Sequence, residues 1–236
     1  MALILCIETG TDICSVGLAS NGEIIALREE SGRNHAGKLA VFADELLKES
    51  GFAPQQLDAV AFAMGPGSYT GLRIGSSFAK GLCYALGIPL IAIDSLLSMA
   101  VIVRQKYEQG ILKAANWNTA FLCPMIDARR MEVYTSVFDT SLNRLSDVSA
   151  EIVTEHSFKE FLNSGKEFFI FGNGAEKCCA VLPQGSVKFV EASPSAAGLA
   201  RMAEEKLSAG EIVDTAYFEP AYLKDFVVTE SKKKLF

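Results

Sequence analysis

The sequence has few of the residues from which metal and hydrolase sites are built. It contains two histidines, His35 and His156, in unlike contexts, and the position four residues after His35 is Leu39, so there is no His-x-x-x-His pair. Two residues separate Ser68 from Gly71, whereas a nucleophile elbow has one residue between its serine and the following glycine, and Ser68 has no convincing histidine base. We therefore predict no catalytic residue and no metal in this chain.

The charge, the apolar runs and the cysteine spacing exclude further classes. A net charge of −6 argues against autonomous nucleic-acid binding. The longest uncharged runs, 59–72 and 81–93, are shorter than the roughly 18 residues of a membrane span, and the early Glu8 is unlike a signal peptide. The six cysteines show no paired spacing and are interpreted as reduced core thiols. The sequence predicts a cytoplasmic protein without a membrane contact.

The chain does contain a dense stretch of small and apolar residues around GPGSYTGLR (65–73). From residue 59 to residue 103 the only charged side chains are Arg73, Lys80 and Asp94. This pattern predicts a buried strand, a tight turn and a helix that is buried on most sides.

Small and polar residues at the two ends of this segment fit helix boundaries. Ser68 is interpreted as the cap at the start of the helix, and Gly87 as its stop. Gly71 and Gly75 are four residues apart, so they lie on one helix face and allow another backbone to approach closely. That backbone could belong to the same chain or to a second protein.

The remaining pattern of strands and helices divides the chain into two similar halves. Each half starts with an apolar strand and an acidic turn, and continues with a hairpin, a helix, a strand, a glycine-rich turn and a helix. The sequence predicts an α/β protein of the actin-like (ASKHA) fold, with two βββαβα-type subdomains over 1–106 and 107–223. Residues 224–236 are predicted to be a flexible tail, and the helix over 34–50 is expected to be capped by Ser31 or Asn34.

In this fold the acidic turn after the first strand of each half would face a nucleotide cleft. No Gly-Lys-Ser/Thr follows the Gly-Pro-Gly turn, and Pro66 lacks an amide donor, so this is not a Walker loop. The chain requires no cofactor in this interpretation, although weak ATP or ADP binding at a subunit or subdomain cleft stays open. The candidate residues of a vestigial nucleotide site are Glu8, Thr9, Gly10, Asp127, Gly172 and Gly174.

The turn DARR (127–130) has two interpretations. It is either an exposed hairpin tip with an internal ion pair, or a contact for a phosphate, a tRNA backbone or an acidic group of a partner. The sequence leaves both open.

Five segments resemble the bacterial TsaB (YeaZ) family, and together they extend over nearly the whole chain. They are LCIETGT (5–11), SVGL (15–18), GPGSYTGLRIG (65–75), DARRMEVY (127–134) and PAYLK (220–224). The chain departs from the family at Glu8 and Gly10, where relatives more often carry Asp and Ser. This departure weakens the expectation of a nucleotide site.

The resemblance implies an actin-like fold and a role in making threonylcarbamoyladenosine beside the anticodon of tRNA. In that system the metal-bearing paralogue TsaD transfers the threonylcarbamoyl group, and the TsaB-type protein is its catalytically silent partner. It implies a heterodimer with TsaD, association with TsaE, indirect contact with tRNA and a homodimer in isolation.

We place the expected partner contact on the two N-terminal helices and the turn before the second. The predicted interface residues are His35, Leu39, Phe42, Leu46, Gly67, Ser68, Tyr69, Thr70, Gly71, Arg73, Gly75, Phe78 and Leu82. Two alternatives are an ATP-dependent kinase or acyl transferase that uses Glu8 and Asp127, and a peptidase, which the old glycoprotease label of the family suggests.

Overall fold

The computed structural model describes residues 2–32 and 34–224. Within these residues there are two β-sheets, each with a row of five hydrogen-bonded strands in the same arrangement. The first sheet has the order β3-β2-β1-β4-β5, with β1 antiparallel to β2 and parallel to β4. The second sheet has the order β11-β10-β6-β7-β9, with β8 paired to β6. Its strand directions repeat those of the first, since β6 is antiparallel to β7 and parallel to β10.

The strands are β1 (Leu3–Glu8), β2 (Ile13–Ser20), β3 (Glu23–Ser31), β4 (Ala59–Ala63), β5 (Leu90–Ile93), β6 (Phe121–Asp127), β7 (Glu132–Thr135), β8 (Phe138–Asp139), β9 (Ser149–Ile152), β10 (Phe168–Phe171) and β11 (Lys188–Val190). The helices are α1 (His35–Glu49), α2 (Tyr69–Leu86), α3 (Ser95–Glu108), α4 (Lys159–Leu162), α5 (Ala175–Cys179) and α6 (Ala200–Ala209). Short 3-10 turns lie at Pro54–Gln56, Trp117–Thr119 and Ala196–Leu199. The strand β11 was missed in the sequence, because three residues are too few to show an alternating pattern.

The ends of α2 are those that the sequence predicts. The Ser68 hydroxyl accepts a hydrogen bond from the Gly71 amide at 3.3 Å, and Gly87 ends the helix in the left-handed conformation. The prediction that a Ser31 or Asn34 side chain caps α1 is wrong. Asn34 stands at the cap position without a side-chain capping bond, and Ser31 is the last residue of β3.

The two halves exchange helices across the centre of the molecule. The helix α3 follows the first sheet in sequence, but Leu96 and Met99 pack with Phe171 of the second sheet. The helix α6 follows the second sheet, but Ala200 and Ala203 lie in one apolar cluster with strands of the first. A boundary at residue 106 therefore follows the repeat in the sequence and does not separate two independent cores.

After α6 the chain returns to the first sheet. We call residues 213–224 the strap, because this segment runs from β5, where the Val213 amide donates to the Leu90 carbonyl, across α2 to the second half. Lys224, the first residue of the predicted tail, forms an ion pair with Glu132. The rest of that prediction concerns 225–236, which lie outside the described residues.

No helix in the described ranges is long and apolar enough to cross a bilayer. All six cysteines are free thiols, five of them buried. Burial raises the pKa of Cys6 and of Cys123 to about 12, which keeps these thiols protonated and unreactive at neutral pH.

Candidate nucleotide turns and partner-docking face

The acidic residue of the first turn is inside the protein. Glu8 is 0% exposed, and its Oε1 accepts a hydrogen bond from the Gly10 amide at 2.5 Å. Burial raises the pKa of Glu8 to about 7, while hydrogen bonds from Gly10, Ser95 and Thr9 act in the opposite direction. The expectation that Glu8 faces an open cleft is therefore wrong.

The chain's own backbone fills the space in front of this carboxyl. The Ser68 amide donates to the Gly10 carbonyl at 2.6 Å, and the Thr9 hydroxyl donates to the Gly71 carbonyl at 2.9 Å. A Cβ on Gly67 would lie 2.5 Å from the Gly10 carbonyl oxygen. The residues present do not fit a nucleotide phosphate at this turn, because the loop between β1 and β2 packs directly against the loop between β4 and α2. No space for a phosphate is left between the two loops.

The same contacts decide which backbone approaches the helix glycines. A Cβ on Gly71 would overlap the Thr9 carbonyl oxygen, and a Cβ on Gly75 would overlap the Thr9 hydroxyl and the Phe62 ring. The approaching backbone therefore belongs to the same chain. The placement of Gly67, Gly71 and Gly75 in a partner interface is corrected accordingly.

The second acidic turn has the opposite environment. Asp127 is exposed and forms an ion pair with Lys177. Lys177 also donates to the Arg130 carbonyl at 2.7 Å and to the Glu132 carbonyl at 2.8 Å. The turn is therefore an exposed hairpin tip, which agrees with the first of its two interpretations. The cation that pairs with Asp127 is Lys177 of α5, and not an arginine of the turn.

The glycines of the second half close a turn against β6. A Cβ on Gly172 would overlap the Met125 carbonyl oxygen, and a Cβ on Gly174 would lie 3.0 Å from the Asp127 amide. The Asn173 side chain accepts a hydrogen bond from that amide at 3.0 Å. Packing of this turn on the end of β6 accounts for both glycines.

No group of three or more His, Cys, Asp or Glu side chains in the described ranges is arranged to hold a metal ion. His35 is buried, and its Nε2 donates to the Thr11 carbonyl at 2.7 Å. This histidine links the start of α1 to the turn after β1.

Four of the predicted interface residues of α1 face the core of this chain. Their side chains are buried against the first sheet and α2, because the apolar stripe of an amphipathic helix turns toward its own sheet. They are His35, Leu39, Phe42 and Leu46. Of the four, Leu39 also lines a groove between α1 and α2.

The surface that α1 and α2 present outward consists of other residues. A groove of about 340 Å³ lies between the two helices and is lined by small and apolar side chains with one arginine. We call this groove, together with the exposed residues that continue it, the docking face. Its members are Ala36, Ala40, Val41, Arg73, Ile74, Ser77, Phe78, Gly81 and Tyr84.

Gly81 is the glycine of α2 with open space in front of it. A Cβ at this position would meet nothing within 4 Å, unlike one at Gly71 or Gly75. It lies one helical turn after Ser77 and is exposed. These exposed positions could have been predicted from the sequence, because they are the helix positions that lie outside the buried apolar stripe.

Arg73 and Phe78 were predicted as interface residues and lie on this face. Ser68 and Thr70 are exposed at the start of α2, whereas Leu82 packs partly against the first core. Tyr69 carries the Arg73 guanidinium 4.8 Å above its ring and the Tyr222 ring at 4.7 Å.

Comparison with known proteins agrees with this architecture. Residues 27–231 match the family model described as TsaD, tRNA N6-adenosine threonylcarbamoyltransferase. The chain is 29% identical to the tRNA threonylcarbamoyladenosine biosynthesis protein TsaB of Escherichia coli over 95% of each chain. It is 37% identical to the protein of the same name from Haemophilus influenzae, across 56% of this chain and about half, 52%, of that protein.

A solved structure shows the same fold. YeaZ from Pseudomonas aeruginosa is 29% identical and superposes with a TM-score of 0.79, covering 94% of this chain and all of that one. The fold, with two sheets of one strand order and exchanged helices, is that of the actin-like α/β proteins. Within this class, the chain belongs to the TsaB (YeaZ) family, which shares the wider family model of TsaD.

Proposed function

We propose that this protein is the non-catalytic partner of TsaD in the threonylcarbamoyladenosine modification of tRNA. The TsaB relatives are named as biosynthesis proteins of this modified nucleoside. In this proposal the protein works in the cytoplasm, TsaE joins the pair, and tRNA is contacted through the complex.

The docking face is the observation that carries the proposal. It combines an open groove with small residues on two neighbouring helices, so the backbone of another helix pair is able to come close. TsaD matches the same family model as this chain, and a paralogue with equivalent helices would complete a four-helix contact. A second copy of this chain would use the same face in a symmetric homodimer when TsaD is absent.

Bulky side chains on the docking face provide the test. Ser77→Arg and Gly81→Trp should abolish co-purification with TsaD and lower the modified nucleoside in tRNA. Gly81→Ala is the matched control, because its added Cβ meets nothing within 4 Å. Circular dichroism should show that all three variants are folded. Undiminished TsaD binding by the two folded bulky variants would contradict the docking assignment.

The proposed role requires no nucleotide of this chain's own. The closed turn around Glu8 supports this part of the proposal, and weak ATP or ADP binding elsewhere stays a prediction. Calorimetry with magnesium and ATP on the isolated protein should give no tight binding and no turnover. Tight binding with turnover that Glu8→Ala abolishes would favour the alternative of an ATP-dependent enzyme.

A further inference from the structure

The strap borders α2 on the side opposite α1. At the middle of the helix, the Lys80 ammonium donates to the carbonyls of Ala216 and Phe218, each at 3.1 Å. The Phe218 ring meets Phe62 edge to face at a centroid distance of 6.3 Å, beneath the helix. Lys80 is thus the residue of α2 that fixes the middle of the strap.

The strap is fixed again at the beginning of α2. The Ala221 amide donates to the Met64 carbonyl at 2.8 Å, and the Tyr222 ring packs on Tyr69 at 4.7 Å. Because residue 216 lies beside the middle of α2 and residue 222 beside its start, the strap runs antiparallel to the helix. The outward face of α2 therefore lies between α1 on one side and the strap on the other.

Two tyrosines are almost fully exposed beside the Lys80 anchor. Tyr84 is 89% exposed and lies one helical turn after Lys80, and Tyr217 is 86% exposed and directly follows Ala216. A tyrosine ring that stays in water contributes no burial energy to the stability of the fold. Tyrosine is, however, among the residues that contribute most to protein interfaces.

The groove alone is too small for a stable complex. It is lined by seven residues, whereas a stable interface takes about 20 to 30 residues and about 800 Å² from each partner. The contact surface must therefore continue beyond the groove. The outward face of α2 leads from the groove through Ser77 and Gly81 to Tyr84, and from there to the strap.

We propose that the strap forms the second wall of the docking face, with Tyr84 and Tyr217 as direct contacts to TsaD and Lys80 as the positioning residue that holds Tyr217 in place. This inference rests on the proposed function and names a further part of the same surface. The partner's matching surface then offers apolar pockets to two tyrosine rings, and not only a flat helix pair.

Affinity measurements with purified TsaD test the tyrosine contacts. Tyr84→Ala and Tyr217→Ala should each weaken binding by about tenfold or more. Ile152→Ala is the control, since Ile152 is 67% exposed on the edge strand β9 of the other half. Unchanged affinity in Tyr217→Ala, with Ser77→Arg still abolishing binding, overturns this inference and leaves the proposed function intact. Unchanged affinity in Ser77→Arg contradicts the proposed docking face itself.

Lys80→Met tests the positioning role, because it keeps the apolar stem and removes the ammonium. The Ala221 amide should exchange its hydrogen faster in this variant, and TsaD affinity should fall. Tyr217→Ala should then have a smaller effect in the Lys80→Met background than alone, since the ring is no longer held. Equal effects of Tyr217→Ala in both backgrounds, or an unchanged exchange rate, would refute the positioning role.

Discussion

The two halves of this molecule share a strand order and differ in what covers it. The outer face of the first sheet carries α1 and α2, helices of 15 and 18 residues. The corresponding connections of the second sheet are α4 and α5, with four and five residues. Among the described residues, the two long helices on the outer face of a sheet therefore belong to the first half.

The acidic turns of the two halves also differ, in how deeply their carboxyl groups are buried. Glu8 is buried beneath the turn that starts α2, whereas Asp127 is exposed and paired with a lysine. In the first half the turn is hydrogen-bonded to the start of α2. Equivalent positions in this repeated fold therefore lie in different environments, one inside the core and one at the surface.

The largest effect should come from filling the contact between the first turn and α2. Gly71→Val places atoms where the Thr9 carbonyl oxygen lies, so the turn or the helix must move. We expect a loss of about 4 kcal/mol in the free energy of unfolding, measured by urea denaturation. Gly81→Ala on the same helix should be neutral or stabilise the chain by up to about 1 kcal/mol. Similar stabilities for Gly71→Val and the wild type would show that the turn is not fixed to α2.

Elements that depend on local chemistry were predictable from the sequence. The Ser68 cap and the Gly87 stop define α2, and both were predicted because capping depends on residues within one helical turn. The α/β class and the actin-like fold were also predicted, from the repeated pattern of strands and helices, and are confirmed. The exchange of α3 and α6 was not predictable, since both helices are apolar on their buried faces and the sequence does not say which sheet they meet.

The second effect concerns proton binding by Glu8. Its pKa is about 7 in the folded chain against an ordinary value of 4.5, so the folded chain binds more protons between these values. The free energy of unfolding should therefore fall as the pH rises from 4.5 to 7, by up to about 3 kcal/mol from this group. The contribution is fully present below pH 4.5 and lost as the pH rises through 7.

Glu8→Gln isolates this contribution, because the amide cannot ionise. The difference in unfolding free energy between the variant and the wild type should change across this pH range, as urea denaturation at several pH values will show. A constant difference would mean that Glu8 is ionised in the folded chain throughout. Glu167, whose pKa the Lys188 ammonium lowers to about 2, is present in both proteins and cancels in the comparison.

The placement of the partner surface shows where the sequence was ambiguous. Gly71 and Gly75 have the spacing of a close helix contact, and the same spacing serves a contact within the chain. Leu39 and Phe42 have the apolar periodicity of an interface, which is also that of a helix on its own sheet. A single sequence does not distinguish a contact within the chain from a contact with a partner, because the two differ only in which surface packs against the helix.

The smallest effect should come from the second acidic turn. Asp127→Asn removes an ion pair with Lys177 whose two side chains are 43% and 24% exposed, and water screens such pairs strongly. We expect a loss below about 1 kcal/mol in urea denaturation. Lys177 keeps its bonds to the Arg130 and Glu132 carbonyls in the Asp127→Asn variant, so the turn should stay closed. A loss as large as that of Gly71→Val would show that the second turn supports its half as the first one does, and the contrast between the halves would fail.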